Sequence, residues 1–417
     1  MSDYRKTAKD AKEKVVSSLT SLSPMSTIST IKRKKKNTHP VLSTRKSDDP
    51  MRVALMCPYS ISIPGGVQNQ VLLLAAEMRS RGIDARIIAP CDGVPPTPYV
   101  VSVGTTRGLK SNGSLAPIVD DAASASLTLD AINSFGPDVV HLHEPLVPGP
   151  TTTAMIGAEC AIVATFHSAG QSANTLKYIR HPARGAISRV HKRVAVSNEA
   201  KATVDQYLPG DYTIIPNCID VAAITQAEKW PTTKPAVLFV GRHEERKGLR
   251  FLIDAWLASD ALQRDADLWI AGLGEETEEL VARSKQADSI SFLGRIEYEE
   301  LFRRMRAAHI VVAPALHGES FGIVLLEAMA ANACVVASSI PGYRDVARDG
   351  IEALLVPPGD SSALGKAIES ILTDDSLRRR LQSGGIARSQ EFSVTIVVDS
   401  YVDIYKSAIQ SRLTSSS

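Results

Sequence analysis

The feature that most restricts this chain is an alternation. Short apolar, β-branched segments, each followed by a stretch with helical spacing, run through it in two separate cycles. Such a pattern builds βαβ units and parallel sheets, because parallel neighbours can be joined only by a crossover connection, usually a helix. In the first cycle the segments are Arg52–Pro58, Ile83–Pro90, Val139–His143, Ala161–His167 and Arg193–Val196. Within Val67–Arg81, Val71, Leu74, Ala75 and Met78 recur at helical spacing, and Gly82 stands where a helix end favours a left-handed residue. The second cycle comprises Ala236–Gly241, Asp267–Ala271, Ser289–Leu293, Ile310–Ala313 and Val335–Ala337, followed by a helical pattern from Val394 to about Leu413. Between the cycles, Ile219 to Pro235 lacks strand signals and carries Trp230-Pro231 and Lys234-Pro235, so it reads as a linker. The expected organisation is a tail over 1–50, a Rossmann-like domain over 51–225, a second over 226–393, and a helix and tail over 394–417. Ligands of such α/β sheets bind beyond the carboxyl ends of the strands, so the cleft between the two domains is the default site.

The 417 residues suffice for two domains and a tail. No apolar run approaches the roughly 18 residues of a membrane span; the longest, Gly322 to Ser339, is cut by Glu327 and Asn332. The charged start has no apolar stretch behind it and does not read as a secretory leader. Five scattered cysteines without a CxxC pair argue against a disulfide framework or a zinc module, and for a reducing cytoplasm.

The net charge of +2 conceals a division: residues 1–50 carry +7 and the remainder −5. The tail is rich in Lys, Ser and Thr and has too little apolar surface to offset ordering entropy, so it is expected to be mostly disordered. Val15, Leu19 and Leu22 recur at helical spacing before the unbroken run Lys32 to Lys36. That combination suits an anionic phospholipid surface, at about 1 kcal/mol per charge. The alternatives are a plain solvated tail, or a start at Met25 or Met51. Nucleic acid is not expected as a partner, because the body is net negative and no aromatics interleave the basic run.

Three segments carry chemistry. In Gly318-Glu319-Ser320-Phe321-Gly322, a strand ends in a glycine-flanked turn and a helix begins near Gly322; free amides at such a helix start favour an anion, commonly a phosphate. Glu319 in the turn and Glu327 in the helix are placed to accept hydroxyl hydrogen bonds from different parts of one long ligand. The plainer reading makes Glu319 a helix-start charge and Glu327 a solvated helix residue. Val240-Gly241-Arg242 with Lys247-Gly248 puts two cations beyond a buried strand, which suits a diphosphate: Arg forks onto two oxygens and Lys acts as a point charge. Read alone, that segment is equally a solvated turn, since residues 243–246 are of mixed charge. Pro64-Gly65-Gly66-Val67-Gln68 lets a ligand approach the backbone closely but is not a dinucleotide fingerprint. His141 and His143 share a strand face without a third ligand nearby, so a packed or hydrogen-bonded pair is expected in place of a metal site. Asp265-Ala266-Asp267 precedes a strand and reads as a surface turn. His167, at a strand end, either meets substrate or caps the following turn.

On these residues the chain from Met51 to about Ile409 resembles the family 4 retaining glycosyltransferases of the GT-B fold, and within them the actinobacterial phosphatidylinositol mannosyltransferases. The resemblance rests on CPYS with PGGVQ (57–68), NGS (112–114), HLHEP (141–145), ATFH (164–167), AVS (195–197) and IPN (215–217). It continues through VGR with RKG (240–248), FLG (292–294) and GESFGIVLLEAMA (318–330). It implies two Rossmann-like domains facing across a cleft, with the C-terminal helix crossing back to the first. It also implies a nucleotide-sugar substrate, GDP-mannose, with no metal or other cofactor required. By the same resemblance Arg242 and Lys247 would bind the diphosphate, Glu319 the sugar hydroxyls and Glu327 the ribose. Ser320, Phe321 and Gly322 would complete the donor site, and Gly66 would lie against the donor. Asn112, Ser114, His167 and Ser168 would contact the acceptor, with Arg242, Lys247, Glu319 and His167 taking part in catalysis.

The chain also departs from its lipid-using relatives. The helix before HLHEP carries basic residues in them, whereas Asp120 to Phe135 here has no Lys or Arg and three Asp. Basic charge falls instead on 177–193 and on the tail. The expected function is metal-independent transfer of mannose to the inositol of a phosphatidylinositol-type lipid, peripheral at the inner face of the cell membrane. A soluble acceptor or a UDP-sugar donor is the runner-up, and a non-catalytic sugar-nucleotide-binding scaffold the alternative of another class.

Overall fold

The computed structural model describes residues 49–111, 114–167 and 185–415. The first half holds β1 (Arg52–Met56), β2 (Asp84–Ala89), β3 (Val100–Ser102), β4 (Arg107–Ser111), β5 (Ser114–Ile118), β6 (Val139–His143), β7 (Ala161–Phe166), β8 (Lys192–Ala195) and β9 (Thr213–Ile214). The second holds β10 (Ala236–Val240), β11 (Asp267–Ala271), β12 (Ile290–Gly294), β13 (Ile310–Ala313), β14 (Cys334–Ser338) and β15 (Leu354–Val356). Seven strands form one sheet in the order β3-β2-β1-β6-β7-β8-β9, six form another in the order β12-β11-β10-β13-β14-β15, and β4-β5 pair separately. Both large sheets are parallel throughout.

Each expected strand is present, with ends that coincide or differ by at most two residues. Four features of the sheets had no clear signal in the sequence: β3, the β4-β5 hairpin, β9 and β15. The three sheet strands among them are only two or three residues long and lie at sheet edges, too short for an apolar run to stand out.

Central strands are buried on both faces, and alternate residues feed different cores. Val53 and Leu55 of β1 pack on one side, Ala54 and Met56 on the other. In the second sheet Ala236 and Leu238 of β10 face one core, Val237 and Phe239 the other. The helix Gly66–Ser80 ends as its pattern requires, with Gly82 at φ 80° and its N–H on the Arg79 carbonyl.

The chain passes from one sheet's core to the other's twice, at adjacent places. Ile215 and Cys218 belong to the first core, whereas Ile219, Val221 and Ile224 belong to the second. The helix Val221–Gln226, most of which the expected boundary at 225/226 leaves with the first domain, is therefore packed in the second. On the return, Phe392 lies in the second core and Val394 in the first. The two crossings are hydrogen-bonded: Ile219 N–H donates to the Phe392 carbonyl and Val394 N–H to the Ile219 carbonyl, each at 3.0 Å. Gln70 pins the first crossing, donating to the Cys218 carbonyl and accepting its N–H, both at 2.8 Å.

The last helix, Val394–Ser415, crosses back onto the first sheet. Val394, Val397, Val398, Tyr401, Tyr405 and Ala408 complete that sheet's core. Arg81, at the end of the Gly66–Ser80 helix, holds it from outside through the Asp399 carboxylate and the Thr395 carbonyl, both at 2.5 Å. Among the described residues no helix is long and apolar enough to cross a membrane.

Candidate active site

Strand order places the chemistry. In each sheet the order reverses at one point, between β1 and β6 and between β10 and β13, and the loops leaving neighbouring strands there diverge to open a crevice. In the second sheet those loops are residues 241–248 after β10 and 314–322 after β13.

The two loops are locked together by backbone contact. Leu316 N–H donates to the Arg246 carbonyl at 2.8 Å. Gly248 has φ 68°, and a Cβ there would fall 2.0 Å from the Pro314 carbonyl oxygen. Gly322, at φ 99°, caps the helix Ile323–Ala330 and sits against the Tyr343 ring. A side chain at Gly342 would strike the Glu319 carbonyl at 2.1 Å. Only glycine fits at these positions, so the turn bearing Glu319 is held from both sides.

This places five charged side chains in one alternating chain. Arg242 meets Glu244 at 2.8 Å, and Glu244 meets Arg246 at 3.1 Å. Arg246 reaches Glu319 at 2.6 Å and Lys247 reaches the same carboxylate oxygen at 2.8 Å. Burial alone would raise the Glu319 carboxyl, but the Lys247 ammonium and the Arg246 guanidinium outweigh it and hold it below the ordinary glutamate value. Three cations against two carboxylates leave this run of ion pairs with one positive charge in excess, beside the Ile323–Ala330 helix start, whose first amides favour an anion.

The structure brings Arg242, Lys247, Glu319 and Gly322 together, and adds Arg246 and Glu244. Sequence reasoning passed over both as mixed turn charges; their signal was proximity to Lys247. The Phe321 ring is buried against Phe392, 5.7 Å between centroids. Glu327 is partly buried on the helix, and burial pushes its carboxyl up to about 7. Nearby, the Tyr298 hydroxyl meets the Asn69 amide across the cleft.

On the first domain, among the described residues no atom from outside its own helix turn lies within 4 Å of where a Gly66 Cβ would stand. His167 follows β7 and is 7 % exposed. Its ring Nε2 lies 2.9 Å from His143 Nδ1, and its backbone N–H donates to the Glu144 carboxylate at 3.1 Å. His141 is likewise held, by the Tyr405 hydroxyl and Thr165 Oγ1 at 2.7 Å each. The HLHEP histidines are thus a packed, hydrogen-bonded pair. Among the described residues no group of three or more His, Cys, Asp or Glu could hold a metal ion. Asn112, Ser168 and residues 177–184 lie outside the described residues, as do residues 1–48, and Ser114 begins β5.

Two domains of parallel sheet, with a cationic crevice at the strand-order reversal of one, define a nucleotide-sugar glycosyltransferase of the GT-B fold. Sucrose-phosphate synthase from Thermosynechococcus elongatus shares the architecture with a TM-score of 0.70 at 21 % identity, over 88 % of this chain and 100 % of that one. Residues 64–223 match Glycosyltransferase Family 4 and residues 220–388 match Glycosyl transferases group 1. Over 366 residues the chain is 37 % identical to the phosphatidyl-myo-inositol mannosyltransferase of Mycobacterium leprae, covering 87 % of this chain and 98 % of that one. The enzyme of the same name from Mycolicibacterium smegmatis is 37 % identical over 346 residues, 82 % of this chain and 89 % of that one. The chain belongs to the family 4 retaining glycosyltransferases.

Proposed function

We propose that this enzyme transfers mannose from GDP-mannose, with retention, to the inositol of a phosphatidylinositol-type lipid. The observation that carries the reading is the convergence of Lys247 and Arg246 on Glu319 at a helix start, in a chain 37 % identical along most of its length to phosphatidyl-myo-inositol mannosyltransferases. In this reading the diphosphate draws Lys247, Arg246 and Arg242 from their carboxylate partners. Glu319 is thereby released to accept hydrogen bonds from the sugar hydroxyls, and Glu327 accepts from the ribose. The acceptor oxygen bonds to the anomeric carbon on the face the diphosphate leaves. The bond from that carbon to the diphosphate oxygen breaks, the acceptor proton passes to the departing phosphate, and the cations stabilise the charge that develops there.

The lipid acceptor requires the cleft to reach a headgroup layer. The helix Ala122–Phe135 bears no Lys or Arg, so in this reading the +7 tail over 1–50 and the basic stretch 177–193 supply the attraction, placing the enzyme peripherally on an anionic inner membrane face. The test is the purified full chain with GDP- and UDP-sugars, with and without phosphatidylinositol vesicles, products followed by mass spectrometry. Mannosylated lipid formed only from GDP-mannose is expected. Transfer to a soluble inositol acceptor alone would replace the lipid, and binding without transfer would make the protein a scaffold. Deleting residues 1–50 should weaken vesicle binding and lipid transfer, as added salt does to the full chain, while sparing a soluble headgroup analogue.

A further inference from the structure

His143 and Glu144, two consecutive residues at the end of β6, hold His167 at two points: the ring through His143 Nδ1 and the backbone N–H through the Glu144 carboxylate. Glu144 takes φ 50° in doing so, uncommon for a residue other than glycine. A residue that merely capped a turn would need neither contact. His143 itself is fully buried, its ring centroid 4.2 Å from that of His141 with the planes tilted by 37°.

The tautomers follow from satisfying the buried atoms. One of the two facing nitrogens must carry the proton. Among the described residues His143 Nε2 has no hydrogen-bond partner. An unpaired buried N–H is rarer than an under-used acceptor, so the lone pair belongs on that atom and the proton on Nδ1. His143 Nδ1 then donates, His167 Nε2 accepts, and the proton of the neutral His167 ring sits on Nδ1.

We propose that His143 is a positioning residue that fixes His167 in its Nδ1-protonated tautomer, so that His167 serves as a hydrogen-bond donor to an oxygen of the bound sugar or its acceptor and not as a general base. This rests on the reading of His167 as a cleft residue that meets substrate. Burial agrees with it, lowering the His167 ring to about 4 and His143 well below the usual histidine value, so both are neutral at physiological pH. His141 is held apart by Tyr405 and Thr165 and takes no part in the exchange.

The test uses full-length protein labelled with ¹⁵N-histidine. Two-bond proton–nitrogen spectra should show His167 with a protonated Nδ1 and a bare Nε2; the reverse pattern, or an imidazolium at pH 7, overturns the proposal. Asn at 143 carries an N–H donor where His Nδ1 stood, and Asp carries only an acceptor. His143→Asn should keep the tautomer and hold kcat within about threefold of wild type. His143→Asp should reverse the tautomer and lower kcat about 10²-fold, the cost of one misplaced donor, with KM for GDP-mannose little changed. An Asp variant that reverses the tautomer yet turns over normally sinks the positioning role; if Asp does not fold, the wild-type spectrum decides. His167→Ala separates the two readings, since normal transfer in that variant removes His167 from the reaction while the tautomer assignment stands.

Discussion

The Ser197 hydroxyl donates to the Ser320 carbonyl oxygen at 2.5 Å, so the cap of a first-domain helix holds the turn next to Glu319 in the second domain. Ser197 Oγ in turn accepts the Ala200 N–H at 3.0 Å. Beside it, Asn198 gives its backbone N–H and its side-chain amide to the Asp345 carboxylate, at 3.1 and 3.3 Å. One hydroxyl therefore serves both a local helix start and the contact between domains.

Those two duties can be separated by substitution. Ser197→Ala loses the cap, at about 1 kcal/mol, and the cross-cleft bond. Ser197→Asp keeps a capping oxygen but cannot donate to Ser320. The cross-cleft bond alone, at about 0.5–1.5 kcal/mol, should raise donor KM roughly three- to tenfold in both variants. Only Ala should lower the melting temperature clearly, and Ser197→Thr should behave as wild type. An Asp variant with unchanged KM would remove the contact from the donor site's support.

Glu319 occupies the cations that a diphosphate needs. Glu319→Gln should leave GDP binding by calorimetry unchanged or tighter while transfer falls by about 10² or more. Arg242→Ala and Lys247→Ala should each slow transfer by about 10²–10³, with melting temperatures near wild type. Weaker GDP binding in the Gln variant would contradict the competition inferred from the 2.6 and 2.8 Å ion pairs.

Glu327 gives a pH signature of known sign. Its carboxyl holds a proton to about 7 in the folded protein, whereas an unfolded chain releases it near 4.5. Between those values the folded state binds more protons, so this group's contribution to stability falls as pH rises through that window. Glu327→Gln should therefore raise the melting temperature relative to wild type, with the difference growing from pH 5 to pH 8. A difference that is constant, or larger at pH 5, would show that the carboxyl is not pushed up. Nucleotide affinity should fall in the same variant, since a charged acceptor for the ribose is lost.

The last helix should be indispensable to the first domain. Stopping the chain after Ser393 uncovers the faces that Val397, Val398, Tyr401 and Tyr405 fill, each worth about 1.5–3 kcal/mol when fully buried. That approaches the whole stability of a typical domain, about 5–15 kcal/mol. The truncated protein should be insoluble or lose its cooperative melting transition; a soluble, cooperatively melting product would show that the helix is dispensable.

Sequence reading reached the two parallel sheets because strands buried on both faces leave dense β-branched runs, as in Ala161–Phe166. It picked out Arg242, Lys247 and Glu319, which the structure gathers in one run of ion pairs, because glycine-flanked strand ends point to a ligand. It missed Arg246 and Glu244 because mixed charge in a turn has no signature of its own until β13 brings Glu319 alongside. The burial of the Phe321 ring depends on Phe392, 71 positions away, and the His143–His167 contact on the pairing of β6 with β7. Neither long-range relation leaves a local pattern. The edge strands are shorter than any periodicity can register.

The crossover helix has a consequence for the order in which the molecule is made. A ribosome delivers the first sheet early, but one of its cores lacks Tyr401 and Tyr405 until nearly the whole chain has been synthesised. His141 in the middle of β6 likewise waits for the Tyr405 hydroxyl. The second sheet is continuous from Ile219 to Phe392 and can settle while still tethered. The domain that comes first in sequence is therefore the last to be sealed, and its apolar face is a natural client surface for chaperones during translation.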